Sequence, residues 1–69
     1  MKATVTLRNE SQTEIKNIKS IEYPVQGSNK IVIDFTEFSL YEADGDVKFI
    51  GDSIFVVRPQ DILSVNFTK

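Results

Sequence analysis

Apolar and polar residues alternate one for one at the start of this chain, and that period of two restricts its fold more than any other feature. Ala3, Val5 and Leu7 alternate with Lys2, Thr4, Thr6 and Arg8, so an extended strand sends the apolar set to one face and the polar set to the other. Similar short segments follow, separated by turn residues. An all-β domain of five to six antiparallel strands is expected. With 69 residues the chain has room for one domain, 1–69. A domain this small buries only about 60% of the surface its unfolded chain exposes. It has no Cys and no His, so neither a disulfide nor a zinc site of ordinary ligands can reinforce it. Stability must come from packing, with self-association as a supplement.

After the first strand, Asn9 to Thr13 is polar and forms a turn. Ile15, Ile18 and Ile21 are spaced by three, which suits a helix face. The stretch lacks a capping box, however, and runs into Tyr23-Pro24, where the residue before proline is biased to extended geometry. A bent strand with an irregularity near Asn17 is the preferred reading, with a short helix as the alternative. Gln26-Gly27-Ser28-Asn29 is turn chemistry. Ile31, Ile33 and Phe35 predict a further strand, and the phase slip before Phe38 predicts a bulge or corner at Thr36-Glu37.

Asp44-Gly45 lies between two segments that alternate, Phe38–Ala43 and Asp46–Ile50. This is the pattern of a type I′ hairpin with positive φ at both central residues. Its register would pair Leu40 with Phe49 and Tyr41 with Lys48. Ser53 to Val57 makes another strand, Arg58 to Asp61 a tight or 3₁₀ turn, and Ile62 to Phe67 the last strand, with Ile62 or Leu63 as its first core residue. The predicted whole is a small antiparallel barrel or roll, SH3-like, with a hairpin at 38–50. Val5, Leu7, Ile33, Phe35, Leu40 and Phe49 are its expected core. Thr4, Thr6, Asp34 and Lys48 should face water.

The chemistry available argues against an enzyme. Without His or Cys, the commonest general base and the usual nucleophile pairs are missing. Carboxylates could act only in a cleft that separates two pKa values, and a barrel this small offers little room for one. Glu42, Asp44, Asp46 and Asp52 form an acidic cluster, yet they lack the spacing of a calcium loop. No cofactor and no metal is expected. Net charge is −2, divided unevenly: residues 1–33 hold five basic and three acidic side chains, and residues 34–69 three and seven. Nucleic-acid binders carry a basic surplus, so a nucleic-acid partner is not favoured, although Arg8, Lys16, Lys19 and Lys30 could bind a strand weakly, and Tyr23 and Tyr41, if exposed near Lys19, Lys30 and Lys48, could stack bases. No apolar run is long enough to span a bilayer, and Met1 leads straight into a strand pattern rather than a signal peptide. A cytoplasmic protein without membrane contact is expected.

One segment does point to a surface. In Ser53-Ile54-Phe55-Val56-Val57 both faces of the strand are apolar, and no charge deters edge pairing. Ile54, Phe55, Val56 and Val57 are therefore the candidate surface for a protein partner, with a second copy of the chain favoured over coverage by the chain itself. A second candidate surface is acidic: Glu37, Glu42, Asp44, Asp46 and Asp52.

Lys2-Ala-Thr-Val-Thr-Leu-Arg-Asn9, Ile15-Lys-Asn-Ile-Lys-Ser-Ile-Glu-Tyr-Pro24 and Asp61-Ile-Leu-Ser-Val-Asn-Phe67 together resemble the short accessory proteins of low-GC Gram-positive bacteria and their phages or mobile elements. That resemblance implies a phage or mobile-element setting and carries over no functional residue. The expected function is a non-catalytic protein-binding or assembly module. The alternatives are an acidic inhibitor occupying a nucleic-acid site on a host enzyme, and a weak single-stranded nucleic-acid binder.

Overall fold

A computed structural model describes residues 1–69. It contains seven strands and three single 3₁₀ turns. The strands are β1 (Lys2–Leu7), β2 (Gln12–Ile15), β3 (Ser20–Val25), β4 (Ser28–Val32), β5 (Val47–Ile50), β6 (Ile54–Val57) and β7 (Ile62–Thr68). They form two antiparallel sheets, β2-β1-β7 and β4-β3-β5-β6. No ladder joins one sheet to the other, so the barrel is not closed.

The alternation at the N-terminus does what its period dictates. Ala3 and Val5 are fully buried, while Thr4 and Thr6 lie on the opposite face of the sheet. In the second sheet Ile21, Tyr23, Val32, Val47 and Phe49 point inward, and with Ile15, Ile18 and Ile62 they complete the buried core. Phe49 lies between the rings of Phe38 and Phe55, at centroid distances of 6.2 and 6.4 Å. Across the seam between the sheets, Phe35 stacks on Phe67 at 4.9 Å.

The ambiguous segment around Asn17 is two strands with a turn between them. Asn17 adopts φ 52°, a left-handed conformation that Asn tolerates better than most residues. Ile15 and Ile21, on strands of different sheets, thereby face one core. The choice between Ile62 and Leu63 is decided by a bulge. Thr6 pairs with Ser64 and Leu7 with Ile62, so Leu63 is skipped in the ladder and turned outward, 56% exposed, while Ile62 is buried.

The segment 33–46 departs from expectation. The 38–50 hairpin does not form: Phe35–Glu37 and Leu40–Glu42 are 3₁₀ turns, and β5 pairs with β3 and β6 instead. β4 ends at Val32, and the change of phase at Thr36-Glu37 is a 3₁₀ turn beyond the strand's end rather than a bulge within it. Asp34 starts it, its Oδ1 accepting from Thr36 N–H at 3.1 Å and from Thr36 Oγ1 at 2.7 Å. Such a side-chain cap competes directly with strand hydrogen bonding. Ile33, beyond the strand's end, is 77% exposed and not in the core. Phe35, Leu40 and Leu7 are only half-buried. Gly45 does not have positive φ; the only glycine that does is Gly27, at 82°. The two-residue turn with both central φ positive is Gln26-Gly27, which joins β3 to β4. A local Asp-Gly preference was outweighed because Asp44 has another bond to make: its carboxylate accepts the Gln26 N–H, and its own N–H donates to Pro24 O at 2.8 Å.

Pro24 fits inside β3 for a geometric reason. Its missing N–H would point toward the β5 side, where the β3–β5 ladder has already ended at Glu22–Lys48.

Candidate functional site

The two sheets present different outer faces to solvent. On the three-stranded sheet that face is polar, with Lys2 Nζ bound to Glu14 at 3.0 Å and Gln12 Nε2 bound to Thr6 Oγ1 at 3.2 Å. On the four-stranded sheet it is largely apolar. Strand pairing aligns Ile31, Glu22, Lys48 and Val56 in one row across β4, β3, β5 and β6, and Ser20, Ile50 and Ile54 in the next. Ile31, Ile54 and Val56 are 59%, 65% and 50% exposed. The exposed apolar residues stand on the two edge strands, β4 and β6, with Glu22 and Lys48 between them, and uncovered apolar side chains of this size are what protein contact surfaces use.

The four residues of β6 therefore divide. Ile54 and Val56 stand on the outer face, uncovered by any other part of the chain. Phe55 and Val57 are half-buried, packed against the core opposite Phe49 and Val47. β6 is also an edge strand. Reading the sequence missed Ile31 and Ile50. The run Ile31-Val32-Ile33, apolar on both faces, was a usable signal for the first. Nothing local marked Glu22 and Lys48, because their juxtaposition depends on the β3–β5 register.

The acidic residues are engaged at different places in the fold. Asp46 and Asp52 flank β5 at opposite ends. Asp52 Oδ2 accepts from Asn17 Nδ2 at 2.8 Å, and its N–H donates to Lys16 O at 2.9 Å, latching the β5–β6 loop onto the β2–β3 turn. Asp44 holds the β3–β4 turn. Glu42 accepts from Lys30 Nζ at 2.6 Å and from the Tyr23 hydroxyl at 3.2 Å. Glu37 is exposed, on the first 3₁₀ turn. No group of three or more carboxylates has the geometry to hold a metal ion.

Tyr23, Glu42 and Lys30 are the nearest approach to a catalytic constellation. Burial, the largest influence, raises the Tyr23 hydroxyl above its ordinary range, and the Glu42 bond adds to this. The hydrogen bond to Glu42 raises Lys30, and the same bond lowers Glu42. Each pKa is moved further from neutral pH, the acid's downward and those of the phenol and amine upward. General acid–base work needs the opposite, a pKa drawn toward the working pH. The trio ties the second 3₁₀ turn to the β3–β4 hairpin. Tyr23 is 1% exposed, so it offers no stacking platform, whereas Tyr41 on that 3₁₀ turn is fully exposed.

No protein-family model matches the chain, and no curated protein or solved structure matches it. No helix is long and apolar enough to cross a membrane.

Proposed function

We propose that this chain is a non-catalytic protein-binding or assembly module, docking through the outer face of its four-stranded sheet. The observation that carries the reading is the uncovered apolar set Ile31, Ile54 and Val56, on a sheet whose counterpart is polar on its outer face. Burying these side chains against a folded partner would gain roughly 25 cal/mol per Å² removed from water. A site for chemistry has no comparable support, since the polar side chains bond to one another in ordinary charge states. An opened SH3-like roll is the architecture we infer: the chain crosses from one sheet to the other at the turn between β2 and β3, and a 3₁₀ turn at Pro59–Asp61 leads into the last strand. The cysteine-free composition suits a reducing, cytoplasmic setting, and the resemblance to phage and mobile-element accessory proteins suits an assembly role.

Photo-crosslinking tests the reading. A photoreactive residue in place of Ile54, on the apolar face, should give a discrete protein adduct in the native host, and the same residue in place of Ser64, on the polar face, should not. The adduct should vanish when Val56→Lys is added. Equal labelling from both positions would refute a docking role for this face.

A further inference from the structure

Resting on that reading of the face, we propose that its occupant is a second copy of this chain, packed sheet to sheet about a twofold axis that runs along the strands between β3 and β5. The order of side chains across the sheet carries the argument. One row reads Ile31, Glu22, Lys48, Val56, with apolar residues at both ends and opposite charges at the two middle places. The proposed axis exchanges β3 with β5 and β4 with β6. Each Glu22 then lies over the partner's Lys48, each Lys48 over the partner's Glu22, and Ile31 over the partner's Val56. An isologous contact requires such self-complementarity, and a row with two like charges at its centre would repel its own copy.

The charges are free to make that contact. Glu22 and Lys48 are directly opposed on neighbouring strands, yet the chain's three ion pairs are Lys2–Glu14, Lys30–Glu42 and Arg58–Asp61. Glu22 Oε1 receives only a long bond from Asn29 Nδ2, at 3.4 Å. Stacking two sheets with nearly aligned strands is an ordinary packing mode. Strands of four to six residues make a face about 19 Å wide and roughly 14–20 Å long, a few hundred Å² per copy and less than an obligate interface buries, so the dimer is weak and concentration-dependent.

A charge exchange tests the geometry. Glu22→Lys alone places lysine over lysine, and Lys48→Glu alone places glutamate over glutamate. Sedimentation equilibrium from micromolar to millimolar concentration should find the wild type in monomer–dimer equilibrium and each single variant weakened about tenfold or more. Mixed in equal amounts, the two variants should form a heterodimer as tight as the wild type, because both cross-axis pairs become opposite again. That recovery cannot arise within one chain, so it separates the interface from any effect on folding. Val56→Lys, at the exposed end of the row, should also abolish the dimer while leaving the circular dichroism spectrum unchanged. A wild type that stays monomeric at millimolar concentration, or a mixture no more associated than its components, would overturn the proposal. If an Ile54 crosslink to a different protein survives that outcome, the docking role stands and only the self-partner is lost.

Discussion

At the scale of single residues, two glycines are required for different reasons. Gly27 needs positive φ, with open space around it. Gly51 needs room: a Cβ there would lie 2.7 Å from Lys16 O, 2.8 Å from Ile15 Cγ2 and 3.0 Å from Asn17 O. Two of those atoms are backbone in the β2–β3 turn, which the Asp52 hydrogen bonds hold against the β5–β6 loop. Gly51→Ala must push these loops apart and is expected to cost about 1–3 kcal/mol, read as a lower urea midpoint. An unchanged midpoint would show that the two loops do not pack this closely. In the sequence Gly51 marked only a turn; its partner across the contact is more than thirty positions away, so no local pattern could reveal the crowding.

At the scale of elements, the 33–46 connection shows where alternation misleads. Phe38, Leu40 and Ala43 are packed against the core from 3₁₀ turns and extended linkers rather than from a strand. Apolar spacing reports which residues are buried better than it reports the backbone that buries them. Asp-Gly suits a hairpin tip because both residues tolerate positive φ, yet Asp44 serves the turn of another hairpin. Gln26, at φ 50°, is a costly residue for that conformation, and the Asp44 carboxylate offsets the cost by accepting its N–H. Asp44→Ala is therefore expected to lower stability by about 1 kcal/mol and to accelerate hydrogen exchange at the Gln26 amide. Asp44→Asn, which keeps an acceptor, should retain most of the protection. An unaltered Gln26 exchange rate in Asp44→Ala would dissociate this carboxylate from the turn.

At the scale of the whole molecule, the accessible surface of 4516 Å² is close to the about 4,400 Å² expected of a compact monomer of this mass. The ten core residues are buried within a single chain, and the apolar side chains on the outer sheet face lie outside that core. Its stability should depend on pH at both extremes. Thr36 hydrogen bonds lower Asp34, and the Lys30 bond lowers Glu42, so their contributions are present above the ordinary carboxylate values of 3.8 and 4.5 and are lost as pH falls through the folded values. Burial raises Tyr23 and the Glu42 bond raises Lys30. Their contributions are complete below the ordinary 10.0 and 10.5 and are lost as pH rises through the folded values. Denaturant midpoints measured across pH should fall at both ends. Glu42→Gln should flatten both limbs, though the alkaline fall persists in part because burial is the larger influence on Tyr23. A profile unchanged by Glu42→Gln would rule out its link to Lys30.

What the sequence determined by itself is what local periodicity encodes: an all-β chain, the inward faces of β1 and β5, the break at Asn17, and the opposite orientations of Ile54–Val56 and Phe55–Val57. Each depends only on a strand's period of two or on a residue's own backbone preference. The tertiary structure alone decided which strands pair, that the sheets stay open, that Asp44 serves the Gln26-Gly27 turn, and that Glu22 and Lys48 stand side by side between two apolar margins. These relations join positions distant in the chain, and short half-buried strands resemble one another too closely to specify their neighbours. Pairing is selected by the free energy of filling one shared core, to which every segment contributes at once.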